Sequence, residues 1–348
     1  MIETLKELGY YMPAEWEKHS AVWLAWPYGD ITFPNILEEI EKTYCEIIKT
    51  ILKSEEVKLI VLNDIEKKRI ENIFNDYGIQ TNKITFFIQD YADVWTRDYA
   101  PITIINKQNI KTYLKWNYNA YGREDDLLFS DLLKDDKVFL SILNKHNIEF
   151  YQMSMVLEGG AIESNGRGTL LTTEQTLLNH NRNGNLTKLE IENNLKNNLG
   201  VENIIWLKNG LTNDHTDGHI DEIARFVNFN TIVCAYENDI NDPNYHILDE
   251  NYKILCNSYD QDGNKFNIIK LPMPHMNYSD GEKAPVSYTN FYIGNSIILM
   301  PFFNDENDIN AKNILQSIFL DRLVVPVDCS RIIIGGGALH CITMQEYI

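Results

Sequence analysis

The chain has 348 residues, 44% of them apolar, and 50 acidic against 31 basic side chains give a formal net charge of −19. That length carries a substantial core, and no linker or low-complexity tract divides it, so a single domain over residues 1–348 is expected. A field of this sign repels nucleic acid and anionic membrane and favours small cations, and no apolar run approaches the ~20 residues of a membrane span.

The start, Met1 to Lys6, is too polar for a signal peptide. Five cysteines (Cys45, Cys234, Cys256, Cys329 and Cys341) make an odd number without zinc-ribbon spacing. The pattern predicts a reduced, cytoplasmic protein.

In chain order, a helix is predicted over 35–54. A strand at Val57–Leu62 follows, then a helix with Ile70, Ile73, Phe74 and Tyr77 on one face, then a strand at Ile84–Ile88. Another helix is expected over 125–145. The strand–helix–strand unit recurs at Thr169–Thr172, through Ile191, Leu195 and Leu199, to Gly200 as a stop and Ile204–Leu207. It recurs again from Ile297–Met300, through Ile314, Leu315, Ile318 and Phe319, to Leu323–Val327. A repeated α/β unit suits a doubly wound sheet or a propeller-like ring, and the pattern does not choose between them.

Four polar clusters interrupt these elements. Asp93-Val94-Trp95-Thr96-Arg97-Asp98 offers a carboxylate and an aromatic face to a flat cation, although taken alone a surface Arg97–Asp98 pair with Trp95 in the core is the better explanation. Leu157-Glu158-Gly159-Gly160 ends a strand in glycines beside an acid. His215 to Glu222 holds two histidines four apart, a metal-site spacing on a helix. Gly218 argues against a helix. On a strand continuing through Ile223–Val227, Asp217, His219 and Asp221 share one face. Finally, an apolar strand at Arg331–Ile334 runs into Gly335-Gly336-Gly337 and delivers Cys341, with the glycines leaving room for a ligand. A lone cysteine is more often a small buried hydrophobe than a nucleophile. The glycines and the His–carboxylate cluster bring the two readings level.

Taken together and in order, these motifs resemble the agmatine deiminases of the guanidino-group-modifying (pentein) superfamily. The resemblance also includes Tyr11–Glu17, Trp23–Pro27, Gly168–Glu174, Leu178-Asn179, Asn181–Asn183 and Tyr288–Ile293. It implies a five-bladed α/β propeller of ββαβ units around a central site. It implies Cys341 as nucleophile, His219 as general acid/base, Asp98 and Asp221 on the guanidinium nitrogens, and Glu158 supporting His219 and substrate. Trp95, Asp217 and Gly337 are expected to line the substrate, with no metal and no cofactor. A homodimer is an expectation from the resemblance alone. The chain departs from the family where Ala338 replaces a usual Asn and Tyr99-Ala100 a usual Thr-Gly.

The expected reaction converts agmatine and water to N-carbamoylputrescine and ammonia through a covalent thiouronium on Cys341, a step toward putrescine. A free-arginine or peptidyl-arginine deiminase is the alternative. A pentein-fold binding protein without turnover would lack one of the five catalytic types, and all five are present. A metal hydrolase using His215 and His219 is the third reading.

Overall fold

A computed structural model describes residues 3–29, 32–123 and 129–348. Its strands form five separate small sheets. Four share one plan, in which an antiparallel pair is followed by a helix and a strand parallel to the second. In chain order the leading strands of these four are Ile102–Asn106, Ile162–Ser164, Ala224–Asn228 and Tyr292–Ile293. The parallel closing strands are Phe150–Val156, Asn203–Leu207, Asn267–Pro272 and Leu323–Asp328. The fifth sheet joins both ends of the chain, because Met344–Tyr347 pairs antiparallel with His19–Ala25. Glu56–Val61 and Ile84–Ile88 extend that sheet in parallel. This is the mixed α/β fold of five ββαβ units that the resemblance implied.

Local chemistry accounts for the helices that the sequence announced. Thr187 and Glu190 form a reciprocal cap on Lys188–Leu199, and Gly200 ends it at φ +67°, where a side chain would be strained. Ile191, Leu195 and Leu199 are its buried face. Helix Leu37–Ile51 lies within the predicted 35–54 and buries Ile40, Tyr44, Ile47, Ile48 and Ile51.

Two repeats escaped the sequence reading. Helix Tyr245–Cys256 buries Asn251 between Leu248 and Leu255, which breaks the apolar stripe. The amide is not exposed to water but bridges the Lys208 N–H and the Asn209 carbonyl. In the repeat ending at Phe150–Val156, the helix expected over 125–145 begins outside the described residues. Within them it is a 3-10 turn, Ser130–Lys137, leading into helix Val138–Lys145.

Each sheet's leading strand is preceded by a short segment of turns or single helical turns. These are Trp95–Tyr99, Glu158–Ala161, Asp214–Glu222, Ser287–Asn290 and Gly335–Thr343. No helix of the described residues is long and apolar enough to cross a membrane.

Candidate active site

The five leading segments converge. The Arg97 N–H donates to the Cys341 carbonyl at 3.1 Å, and the Thr96 hydroxyl to the Ile342 carbonyl at 2.8 Å. The Gly160 N–H donates to Asp98 Oδ1 at 3.0 Å. The Asn290 carbonyl accepts from His340 N–H at 3.1 Å. Four of the five expected catalytic side chains, Asp98, Glu158, His219 and Asp221, are at most 3% exposed, and Cys341 is 5% exposed.

Gly160 is the point where three of them meet. A methyl there would stand 2.6 Å from His219 Nδ1, 2.9 Å from Asp98 Oδ1 and 3.0 Å from Asp221 Oδ2. His219 Nδ1 lies 3.7 Å from Asp98 Oδ1, and neither ring nitrogen has a hydrogen-bond partner among the described residues. Glu158 Oε2 and Asp221 Oδ1 are likewise buried without partners there. Unpaired polar atoms at this depth each cost ~1–3 kcal/mol. Here they belong to residues that interact electrostatically with one another, a setting that a bound cation would offset.

Arg182 holds the other oxygen of Glu158 and His340 that of Asp221, with further buried arginines behind them. Arg182 Nε donates to Glu158 Oε1 at 2.6 Å, and Arg225 joins Glu15 and Glu163 at 2.8 and 2.9 Å. His340 bridges Asp221 and Glu15, with 2.7 Å from each ring nitrogen to a carboxylate oxygen. Arg97 reaches the His340 carbonyl at 3.2 Å and Glu15 at 3.6 Å. Without such partners a carboxylate here would not stay ionised.

The charge pattern follows. Burial raises the Asp98 carboxyl to about 6 despite His219. Burial pulls Asp221 the same way, but its bond to His340 and the charges of His340, His219 and Arg225 win and hold it low. Burial alone would depress His219; the carboxylates of Asp98, Glu158 and Asp221 outweigh it and raise it. Burial, then Asp221, Glu222 and Asp98, push the Cys341 thiol well above its usual range. The arrangement thus favours the protonated form of the thiol and the charged form of the imidazole, among several carboxylates. A cation entering among the acids offsets their field at sulfur and favours the thiolate.

A cavity of about 300 Å³ lies beside this cluster, with none of Asp98, Glu158, His219, Asp221 and Cys341 in its lining. Trp95, Tyr121, Gly335 and Gly336 form its inner wall, with Asp93 and Asp131 as its acids. Tyr121 connects cavity to cluster, its hydroxyl donating to Asp98 Oδ2 at 2.9 Å. Gly337 lies between the Trp95 ring and Cys341, 2.7 and 3.1 Å from where a side chain would begin. The Gly336 backbone, at φ +97°, lies against the His215 ring. Any side chain at 336 or 337 would collide with a wall of the site.

Several expectations need correction. Arg331–Ile334 is not a strand; Ile332–Gly335 is a 3-10 turn whose Ile332 and Ile333 are buried while Ile334 is left partly outside. His219 and Asp221 are not on a strand either, since Ile220–Glu222 is a 3-10 turn and the strand starts at Ala224. With that strand goes the shared face. Asp217, at φ +61°, turns its carboxylate to Arg182 Nη1 and Asn181 Nδ2, both at 2.8 Å, and does not line the cavity. Arg97 and Asp98 are buried apart from each other rather than paired at the surface.

His215 and His219 both pack edge-on against Tyr121 and share no close group of ligand atoms. Among the described residues the groups close enough to hold a metal are Glu15–Glu163–His340, Asp221–Glu222–Cys341 and Glu237–Asp242–His275. In the first, Glu15 and Glu163 already hold Arg225. The second is the thiol centre itself.

Asn290 and Glu222, which lie in motifs named above but were given no role there, complete the site. Asn290 Nδ2 donates to Cys341 Sγ at 3.1 Å and to Glu222 Oε1 at 2.8 Å. Position was the available signal, because Ser287–Asn290 leads into a sheet as the other four segments do. The Ala338 contribution at sulfur comes from its backbone, which favours the thiolate. Tyr99 turns into the core, its hydroxyl on the Asp93 carbonyl at 2.9 Å.

Comparison with known proteins agrees. The family model for Porphyromonas-type peptidyl-arginine deiminase matches residues 11–346. A Legionella pneumophila protein named "Putative agmatine deiminase" is 36% identical over 343 residues, covering 98% of this chain and 96% of its own. The chain belongs to the Porphyromonas-type peptidyl-arginine deiminase family. A Mycoplasma capricolum protein, also named "Putative agmatine deiminase", is 34% identical over 363 residues, covering 99% of this chain and 98% of its own. The agmatine deiminase of Enterococcus faecalis superposes with a TM-score of 0.91 at 29% identity, covering 100% of this chain and 98% of that one. A cysteine-to-serine variant of the C. jejuni agmatine deiminase, with substrate bound, gives 0.87 at 29% identity, covering 97% and 96%.

Proposed function

We propose that this protein hydrolyses agmatine to N-carbamoylputrescine and ammonia, a step toward putrescine. The observation that carries the reading is the convergence of Cys341 with Asp98, Glu158, His219 and Asp221 at one buried centre, with unpartnered polar atoms among them. Relatives named for agmatine deimination, one seen with substrate after loss of its cysteine, support the same reaction.

A guanidinium is planar and delocalised, hence a weak electrophile. Asp98 and Asp221 hold its nitrogens and offset the loss of water around the cation. Cys341 attacks the central carbon, and His219 protonates the departing nitrogen as ammonia. A water that His219 deprotonates then displaces the thiolate from the thiouronium. No step calls for a metal. Trp95 and Gly337 border the path to sulfur, while Asp217 serves Arg182 instead.

Among the described residues lining the cavity there is no lysine or arginine, while Asp93 and Asp131 are there. Among those described lining residues a free α-carboxylate meets no cation, whereas a distal ammonium meets the field of two acids, which favours agmatine over free arginine. The test is a ureido-product and ammonia assay on agmatine, free arginine and a peptidyl arginine at equal concentration. Agmatine is expected to be the best of the three; if it is the poorest, the substrate assignment fails. Cys341→Ser is expected to abolish nearly all turnover. Activity lost to chelator and restored by zinc would overturn the cysteine mechanism.

A further inference from the structure

The reaction leaves one proton without a destination. The thiol must lose it before attack, inside a centre closed to bulk water. His219 cannot take it, because it must arrive protonated to release ammonia. Asp98 and Asp221 must stay ionised to hold the cation. Two carboxylate oxygens reach Cys341 Sγ, Asp221 Oδ2 and Glu222 Oε1, both at 3.9 Å.

Their surroundings separate them. Asp221 Oδ2 is bound by His340, which is backed by Glu15 and the Arg225 and Arg97 guanidiniums. No cation among the described residues bonds to Glu222. Its Oε1 accepts the Asn290 amide, and its Oε2 is buried and unpartnered. Burial, and then Asp221, hold the Glu222 carboxyl well above the usual range, the direction a proton acceptor needs. Asn290 fixes both ends, donating one N–H to sulfur and the other to Glu222.

We infer that Glu222 is the general base for Cys341, with Asn290 as the positioning residue that aligns them; this rests on the deiminase reading. The S–H bond breaks as an O–H bond forms on Glu222, and the sulfur pair then forms the C–S bond. When hydrolysis breaks that bond, the thiolate recovers its proton from Glu222, and the last proton on the product oxygen leaves to solvent, where it converts the released ammonia to ammonium. Catalytic contacts as long as this sulfur–oxygen distance commonly tighten only once substrate is bound.

The test uses chloroacetamidine, a cationic alkylating reagent that meets the same proton problem without turnover. Glu222→Gln keeps shape and the Asn290 bond. It should lower the saturating alkylation rate at about pH 7 by ~10²–10⁴-fold, the range for a lost general base. Alkylation by neutral iodoacetamide at about pH 9.5, where hydroxide takes the proton, should stay within about threefold. Glu222→Ala should be equally slow with chloroacetamidine and recover about tenfold or more in formate, as a merely structural residue would not. Glu222→Gln within about threefold of wild type on chloroacetamidine, loss of both alkylations together, or no formate rescue would each overturn the inference. Agmatine turnover of the wild type is measured alongside. Its absence would break the substrate reading and leave the role of Glu222 to be decided by the alkylation rates.

Discussion

Gly160→Ala is the sharpest perturbation of the site, because it adds one carbon where three catalytic groups meet. Gly160 lies in the 3-10 turn Gly159–Ala161 and has no positive φ, so the effect is steric rather than strain. The methyl would lie 2.6 Å from His219 Nδ1 and 2.9 Å from Asp98 Oδ1. Non-bonded carbon contacts settle at ~3.5–4.0 Å, so His219 must retreat by ~1 Å. A misplacement of that size costs ~10²-fold in rate. Overpacking a buried site costs ~1–3 kcal/mol. With ~2.1 cal/mol/K of unfolding entropy per residue, that moves Tm by only ~1–4 °C for a chain of this length. The assay pairs kcat and KM for agmatine with calorimetry. The expected result is a loss of ~10²-fold or more in kcat/KM from a protein that melts almost normally. A folded variant within about threefold of wild type would refute the claim that His219 and Asp98 work from these positions.

Other expectations follow from the same contacts. Arg182→Met strips a buried guanidinium from Glu158 and Asp217 and should cost ~3–5 kcal/mol in denaturant unfolding, the range for orphaned buried charges; a loss under ~1 kcal/mol would show the pairing to be idle. Asp217→Asn should lower Tm more than it changes KM for agmatine, since its carboxylate holds Arg182 and Asn181; a tenfold rise in KM with unchanged Tm would return Asp217 to the substrate. On pH, Asp93 and Asp98 both titrate near about 6 when folded, raised chiefly by burial. Each binds its proton more tightly folded than unfolded, so its stabilising contribution is full below ~3.9 and is lost as pH rises through about 6. Activity runs the other way, because the cation needs Asp98 ionised. kcat/KM should therefore fall at least about tenfold per unit below about pH 6, since Glu222 must also be ionised to accept the thiol proton, and a flat profile down to about pH 4.5 would remove Asp98 from the clamp and Glu222 from its role as base.

The catalytic types were legible because each is chemically costly where it stands. A cysteine behind three glycines, an acid before a glycine pair and a histidine among aspartates are hard to explain as packing. Helices with an unbroken apolar face and strong caps, such as Lys188–Leu199, were legible for the same local reason. Helix Tyr245–Cys256 was not, because its buried Asn251 is satisfied by backbone groups more than 40 residues away. Arg331–Ile334 looked like a strand because a buried 3-10 turn and a buried strand can share one apolar composition.

Local sequence determined which residues are reactive and which segments are helical. Tertiary structure decided which of them meet. The five segments leading into the sheets are far apart in the chain, and only the ββαβ repeat brings Asp98, Glu158, His219, Asn290 and Cys341 to one centre. It also sent Asp217, two residues from His219, to Arg182 instead. Spacing along the chain constrains direction only within a regular element; across a turn, direction is set by the partners that burial makes obligatory.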